Sequence, residues 1–147
     1  MPAPQSFKSH TRFDPTFHFF LLPIFLLNIF VTIYWYFHHH IHTHLHSGLW
    51  LILISIALFL AVGMFRGYAL KNQDRIIRLE EKQRLASIAT PAELIELDSL
   101  TIKQYIALRF ASNPEFLDLA RRAIRENLTQ KQIKESIKSW RPDYDRV

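Results

Sequence analysis

The sequence contains no cysteine, and this absence excludes disulfide bonds and thiolate-ligated metal sites. Its 147 residues include only three scattered glycines, so a glycine-rich phosphate-binding loop is excluded as well. All eight histidines lie at or before position 46, which leaves the second half without an imidazole for nucleophilic catalysis. We therefore expect a protein that is not an enzyme and that holds no organic cofactor.

Formally charged residues are missing from two long apolar stretches, residues 17–37 and 49–65. About twenty residues at ~1.5 Å each cover the ~30 Å hydrocarbon core of a membrane. Backbone N–H and C=O groups must be paired in lipid, so both stretches are expected to be helical. The sequence predicts a leader over residues 1–14 and a transmembrane hairpin over residues 15–68.

Lysine and arginine are absent from the connecting loop, residues 38–48. The leader carries Lys8 and Arg12, and the segment after the second stretch carries six cations between Arg66 and Arg84. The positive-inside rule then predicts a multi-pass protein with both termini in the cytoplasm and the loop outside.

A polar side chain, Asn28, falls near the middle of the first apolar stretch. Ser55 has a similar expected depth in the second stretch, so a hydrogen bond between the two helices is the simplest interpretation. The alternative is a contact in a transport path, but two helices alone cannot enclose a pore.

Six histidines crowd into nine residues of the loop. In an extended segment the candidate ligands for a divalent metal such as Zn²⁺ lie on one side, namely His38, His40, His42, His44 and His46. In a helical segment, His38, His42 and His46 share one face instead. No Cys, Asp or Glu in the loop completes or orients such a site. A pH-sensitive loop, a headgroup contact and a plain solvated linker remain as alternatives.

The second half has helical periodicity and no alternating strand pattern, so the predicted fold class is all-α. A charged stalk is expected over residues 69–85, where Asp74–Arg78 and Glu80–Arg84 are acid-before-base pairs four residues apart. A small cytoplasmic domain is expected over residues 86–147. Its four helices are predicted from Pro91 to Leu97, from Ser99 or Thr101 to about Ala111, from Asn113-Pro114-Glu115 onward, and from Thr129 onward with a Thr129–Gln132 capping box.

Arg109 lies within an apolar segment, Ala107 to Ala111, and is expected to be partly buried. A buried guanidinium needs an acid, and Glu80 or Glu115 is the expected partner.

The C-terminal segment combines aromatic and charged residues. Trp140 is expected to complete a buried stripe with Ile133 and Ile137 on the last helix, which Pro142 would end. We hypothesise that the tail then clamps the domain onto the stalk; a disordered end is the alternative. In this clamp Tyr144 is expected to cover apolar surface. Charged tail residues are expected to pair with charged stalk residues, namely Arg141, Asp143, Asp145 or Arg146 with Asp74, Arg75, Arg78 and Glu80.

Basic residues are frequent on the remaining surface of the last two helices. Acids are interspersed, which is typical of a solvated face beside an anionic membrane leaflet or of a surface that contacts a protein. Nucleic-acid binding is not expected, because these helices lack a glycine turn and aromatic side chains between the basic residues.

Four groups of residues form a recognisable set of motifs. They are His10-Thr11-Arg12-Phe13 with Pro15 and Phe17-His18, Gln73 to Glu80, Ala107 to Ser112, and Ile133-Lys134, Ile137-Lys138 and Trp140 to Tyr144 with Arg146-Val147. Together these motifs resemble a family of small bacterial two-helix membrane proteins classed as a domain of unknown function. The resemblance implies a bacterial inner-membrane protein and brings no known activity, and the histidine loop lies outside the shared pattern.

Two functional interpretations follow. The first is a membrane-anchored interaction or scaffold module that contacts the lipid bilayer and either a protein partner or a second copy of itself. The second is a metal-binding or metal-responsive membrane protein that uses the histidine loop.

Overall fold

The computed structural model describes Phe7, residues 14–40 and residues 45–143, without the side chains of His39, His40 and Leu45. All the secondary-structure elements of three or more residues in this part of the chain are helices, which confirms the all-α prediction. The α-helices are α1 (Leu22–Trp35), α2 (Leu45–Ile88), α3 (Pro91–Glu96), α4 (Ile102–Leu108), α5 (Asn113–Arg125) and α6 (Gln130–Ser136). Helix α1 is flanked by π-helical segments, Thr16–Leu21 and Tyr36–His40, and a 3-10 turn, Leu97–Ser99, follows α3.

The described residues fall into two compact units, residues 14–70 and residues 71–143 together with Phe7. We call them the N-terminal and C-terminal units. The N-terminal unit holds helical segments that are long and apolar enough to cross a membrane, Thr16–His38 and the first part of His46–Ile88. Large apolar side chains are exposed along both, including Phe19 at 73% and Phe65 at 72%.

A wide helical turn precedes Pro23 in the N-terminal unit. Proline lacks an N–H group, and its ring clashes with the carbonyl group four residues earlier in a regular α-helix. The π-helical segment Thr16–Leu21 ends two residues before Pro23, so the irregular turn lies where the proline disturbs α-helical hydrogen bonding.

Helix α2 lies in close contact with α1 and with the π-helical segment Tyr36–His40. Asn28 Nδ2 donates a hydrogen bond to Ser55 Oγ at 2.8 Å, and Ser55 is only 3% exposed. At the loop end, Gly48 lies so close to Tyr36 that a Cβ atom would overlap the tyrosine ring. The glycine therefore permits the close approach of the two helical segments.

The core of the C-terminal unit is built by the last turns of α2 together with α3 to α6. Leu85 of α2 is 3% exposed and packs among the buried side chains of the four shorter helices. The predicted stalk and the predicted domain thus share one core. Its buried members are Leu85, Leu97, Leu100, Tyr105, Ala107, Leu108, Phe110, Ala111, Phe116, Leu119, Ala120, Ala123, Leu128, Ile133 and Ile137.

Helices α3, α4 and α6 each begin with a capping box, in which the N-cap side chain and the third helical residue satisfy each other's backbone N–H groups. At the start of α5, the Ser112 N–H donates to Glu115 Oε1. The cap of α6 is the predicted Thr129–Gln132 pair. The cap of α5 is Ser112, one residue before the predicted start at Asn113.

Gln104 has a second role besides its cap at the start of α4. Its Nε2 donates to Ala123 O at 2.9 Å near the end of α5. A buried amide thus satisfies a carbonyl group of the last turn of α5, which joins the two helices.

The last helix ends earlier than the sequence predicts. Helix α6 stops at Ser136 and Ile137 has an extended backbone, so Trp140 does not continue a helical stripe and Pro142 does not end the helix. The reason is tertiary: Glu115 accepts hydrogen bonds from the N–H groups of Lys138 and Ser139 at 3.1 and 3.2 Å. Helix α4 likewise ends at Leu108 and does not reach Ala111.

Candidate functional site

The C-terminal unit exposes large apolar side chains in the middle of a basic stretch of α2. Ile76 is 56% exposed and Leu79 is 70% exposed. They line an open groove together with polar and basic side chains. We call this surface the α2 basic face, and its residues are Asn72, Arg75, Ile76, Arg78, Leu79 and Lys82.

Helical periodicity places these residues on one side of α2. Positions 72, 75, 76 and 79 are three or four residues apart and are neighbours on the surface of an α-helix. The six residues include three cations and no acid. Lys82 Nζ lies 3.5 Å from Asp98 Oδ1, but both side chains are well exposed, and such surface pairs contribute little. The face is therefore basic with an apolar centre.

The opposite side of α2 is fixed by a buried ion pair. Glu81 is 4% exposed, and its carboxylate lies 3.0 Å from Arg84 Nη1. Arg84 also donates to Asn113 Oδ1 at 2.8 Å and to Ala111 O at 2.7 Å. Its guanidinium lies 4.8 Å from the centre of the Phe116 ring. These contacts fix which side of α2 faces the core. The α2 basic face lies largely on the other side of the helix.

The tail contacts α2 at a different acid from the expected ones. Arg141 Nη1 lies 3.4 Å from Glu81 Oε1, whereas Asp74 and Glu80 were the expected acids. Trp140 stacks on Phe110 with ring centres 5.0 Å apart. Tyr144 lies outside the described residues.

The partner of Arg109 also differs from the expectation. Arg109 is 7% exposed, and its Nε lies 3.1 Å from Asp143 Oδ2. The prediction that Glu80 or Glu115 pairs with Arg109 is wrong. Glu80 is exposed, and Glu115 accepts hydrogen bonds from backbone N–H groups. The tail therefore supplies the acid that Arg109 needs.

A second ion-pair cluster joins α3 to α5. Arg121 binds Glu93 and Glu96, with 3.1 Å between its Nε and Glu96 Oε2. Hydrogen bonds from Thr90 and from Arg121 hold the pKa of Glu93 below its ordinary value. Hydrogen bonds to Glu96 and Glu93 raise the pKa of Arg121. Arg121 is thus neutralised by acids of its own chain and does not add to the basic face.

Tyr105 lies in the core, and charged groups near the surface shift the pKa of its hydroxyl. Burial is the main cause that raises the pKa of its hydroxyl, and the charge of Asp98 adds to the rise. The charge of Arg78 acts in the opposite direction.

The histidine loop is described only in part. The His38 ring packs on Tyr34 with ring centres 4.3 Å apart, and His46 is exposed. His42, His44 and the side chain of His40 lie outside the described residues. Among the residues that the structure does describe, no group of three or more His, Asp or Glu side chains is placed to hold a metal ion.

The N-terminal unit contains an ion pair that the sequence patterns above do not predict. Arg66 Nη1 lies 3.4 Å from Asp14 Oδ2, and Asp14 O lies 2.8 Å from His18 Nδ1. The signal was present, because Asp14 precedes the first apolar stretch and Arg66 follows the second. The two ends meet wherever the stretches pair in antiparallel fashion.

Glu81 was missed as well, although it too carries a signal. It lies between Ile77 and Leu85 at a spacing of four residues, so the three side chains share one side of a helix. All three are buried in the structure.

Comparison with known proteins gives a family but no activity. No curated protein and no solved structure matches the chain. A family model described as "Family of unknown function (DUF6526)" matches residues 1–147, and the chain belongs to this family.

Proposed function

We propose that this protein is a non-enzymatic, membrane-anchored interaction module. A transmembrane hairpin anchors the chain, and the C-terminal unit is a cytoplasmic helical domain that docks on a protein partner. The observation that carries the proposal is the α2 basic face, an exposed apolar and basic surface on a helix whose first part is apolar enough to cross a membrane.

The exposed apolar side chains of the N-terminal unit support the membrane anchor. A soluble protein does not leave this many large side chains in water, whereas lipid covers them at no cost. The Asn28–Ser55 hydrogen bond supports a hairpin in the bilayer, since the amide and hydroxyl groups satisfy each other where water is absent.

Cationic residues at both ends of the hairpin support a cytoplasmic location for the two termini. The loop between the helices has no Lys or Arg, while Arg66 and Lys71 follow the second apolar stretch. A bacterial inner membrane is the location that the family resemblance implies.

Reporter fusions test the topology. A reporter fused after Val147 is expected to show cytoplasmic activity, and a reporter inserted near Ser47 is expected to show periplasmic activity. A periplasmic signal after Val147 overturns the proposed arrangement.

Crosslinking in native membranes tests the interaction. A photoreactive amino acid at position 79 is expected to give a discrete protein adduct. A matched photoreactive residue at Ile95, which is also exposed, serves as the control. An identical adduct pattern at both positions would argue against a defined docking surface.

Exchange of the loop histidines separates this proposal from the metal-responsive alternative. A single variant with Ser in place of all six loop histidines, at positions 38, 39, 40, 42, 44 and 46, is expected to leave the crosslink unchanged. A loss of the crosslink that follows chelation of Zn²⁺ in the parent would favour the metal-responsive protein.

A further inference from the structure

The α2 basic face presents two apolar side chains between cations. Ile76 and Leu79 are three residues apart and more than half exposed, and Arg75 and Arg78 are adjacent to them in the sequence. Such an arrangement spans about two to three helical turns, or ~15 Å from position 72 to position 82. This is the size of surface that a single amphipathic helix covers when it lies along a groove.

A second copy of this chain does not complement the surface. A symmetric pairing through this face would bring Arg75, Arg78 and Lys82 of one copy against the same cations of the other. Like charges on facing helices destabilise the pair. The occupant must instead carry acids.

Anionic lipid headgroups satisfy the charges but not the apolar centre. Headgroup phosphates attract Arg and Lys, yet two apolar side chains set among cations, Ile76 and Leu79, offer only a small apolar area for insertion at the acyl boundary. A helix with its own apolar stripe buries both side chains and supplies carboxylates to the flanking cations.

We propose that the α2 basic face binds an acidic amphipathic helix of a partner protein. The helix carries Leu or Ile at i, i+3 or i+4, and i+7, flanked by Asp or Glu. Its apolar stripe packs on Ile76 and Leu79, and its carboxylates pair with Arg75, Arg78 and Lys82. This inference rests on the proposed interaction function and names the chemistry of the partner.

A synthetic peptide tests the inference with the full-length protein in phosphatidylcholine nanodiscs. The probe is a fluorescent helix of about 20 residues, built from Glu, Leu and Ala with the leucines in one stripe. Fluorescence anisotropy is expected to show saturable binding. A peptide of the same composition with its leucines scattered is expected to bind at least about tenfold more weakly.

Substitutions on the face separate its apolar and electrostatic contributions. Leu79→Ser and Arg78→Glu are each expected to weaken peptide binding by about tenfold, since each removes one kind of contact. The matched controls, Ile95→Ser and Arg125→Glu, change exposed residues elsewhere in the C-terminal unit and are expected to leave binding unchanged. The double variant Arg75→Glu/Arg78→Glu is expected to prefer a peptide with Lys in place of Glu.

Two outcomes overturn the inference. The first is equal binding of the striped and scattered peptides, which means a nonspecific charge effect. The second is a pair of results: the parent protein does not bind the peptide, and it binds phosphatidylglycerol vesicles more strongly than Leu79→Ser and Arg78→Glu do. In that case the face is a lipid contact. Either outcome overturns the acidic-helix partner; the reporter fusions test the membrane anchor separately, and the crosslinks at position 79 test whether any protein docks on this face.

Discussion

Arg109 and Asp143 form an ion pair between the buried middle of the C-terminal unit and its tail, with 3.1 Å between Arg109 Nε and Asp143 Oδ2. The guanidinium also lies 4.5 Å from the centre of the Phe110 ring. The Arg109 side chain is 8% exposed and the Asp143 side chain is 26% exposed, so the guanidinium is buried while the carboxylate is partly in contact with solvent.

The first prediction concerns the stability that this pair supplies. Asp143→Asn is expected to lower the free energy of unfolding by about 1–3 kcal/mol, because the Arg109 charge stays buried without this carboxylate. Arg109→Leu is expected to cost less than Arg109→Ala, since Leu fills the apolar site. Thermal unfolding of the three variants checks the order, and equal stability of Arg109→Leu and Arg109→Ala would contradict a buried role for Arg109.

The second prediction concerns the close approach at Gly48. Gly48→Ala is expected to destabilise the packing of α1 on α2 by about 1–3 kcal/mol, because the added Cβ overlaps the Tyr36 ring. Gly63→Ala is the matched control, since a Cβ at position 63 meets no atom within 4 Å. Unfolding in mixed detergent micelles measures both variants. Equal stability of the two would show that the Tyr36 ring moves away without cost.

The third prediction concerns the hydrogen bond between α1 and α2. Ser55→Ala is expected to cost about 0.6 kcal/mol, the average for such bonds between helices in membranes. Thr32→Val is the control, because the Thr32 hydroxyl donates to carbonyl groups of its own helix, at Asn28 and Ile29. A larger loss for Thr32→Val than for Ser55→Ala, measured by steric trapping in bicelles, would speak against the bond between the helices.

The fourth prediction concerns Glu115 and the extended segment after α6. Glu115→Gln replaces one accepting oxygen by a donor, so at least one of the bonds from Ser112, Lys138 and Ser139 is lost. We expect a loss of about 1.5–3 kcal/mol, the range for hydrogen bonds to a charged group. Amide hydrogen exchange should accelerate at Lys138 and Ser139.

The control for Glu115 is Asp118 on the same helix. Its side chain is 87% exposed, and Asp118→Asn is expected to change neither stability nor exchange beyond a few tenths of a kcal/mol. Unchanged exchange at positions 138 and 139 in Glu115→Gln would mean that the segment is held by other contacts.

Elements with a local cause were predictable from the sequence. The helical fold class follows from helical periodicity, and the start of α6 follows from the Thr129–Gln132 capping box. The start of α3 follows from Thr90 before Pro91. In each case the residues that decide the structure are neighbours in the chain, so their spacing alone carries the information.

The two long apolar helices also follow from the sequence. Each is long and apolar enough to cross a membrane, and this follows from its length and composition alone. Asn28 and Ser55 were paired from their expected depth alone, and the structure places them 2.8 Å apart.

Only the tertiary structure decided which distant residues meet. Arg109 pairs with Asp143 and Arg141 with Glu81, although other acids lie at equally plausible positions in the sequence. The end of α6 at Ser136 has the same origin, because hydrogen bonds to Glu115 compete with another helical turn. When several acids could pair with one arginine, the local sequence does not determine which of them does. The packing of the whole core determines it, because it decides which acid comes within reach of the guanidinium.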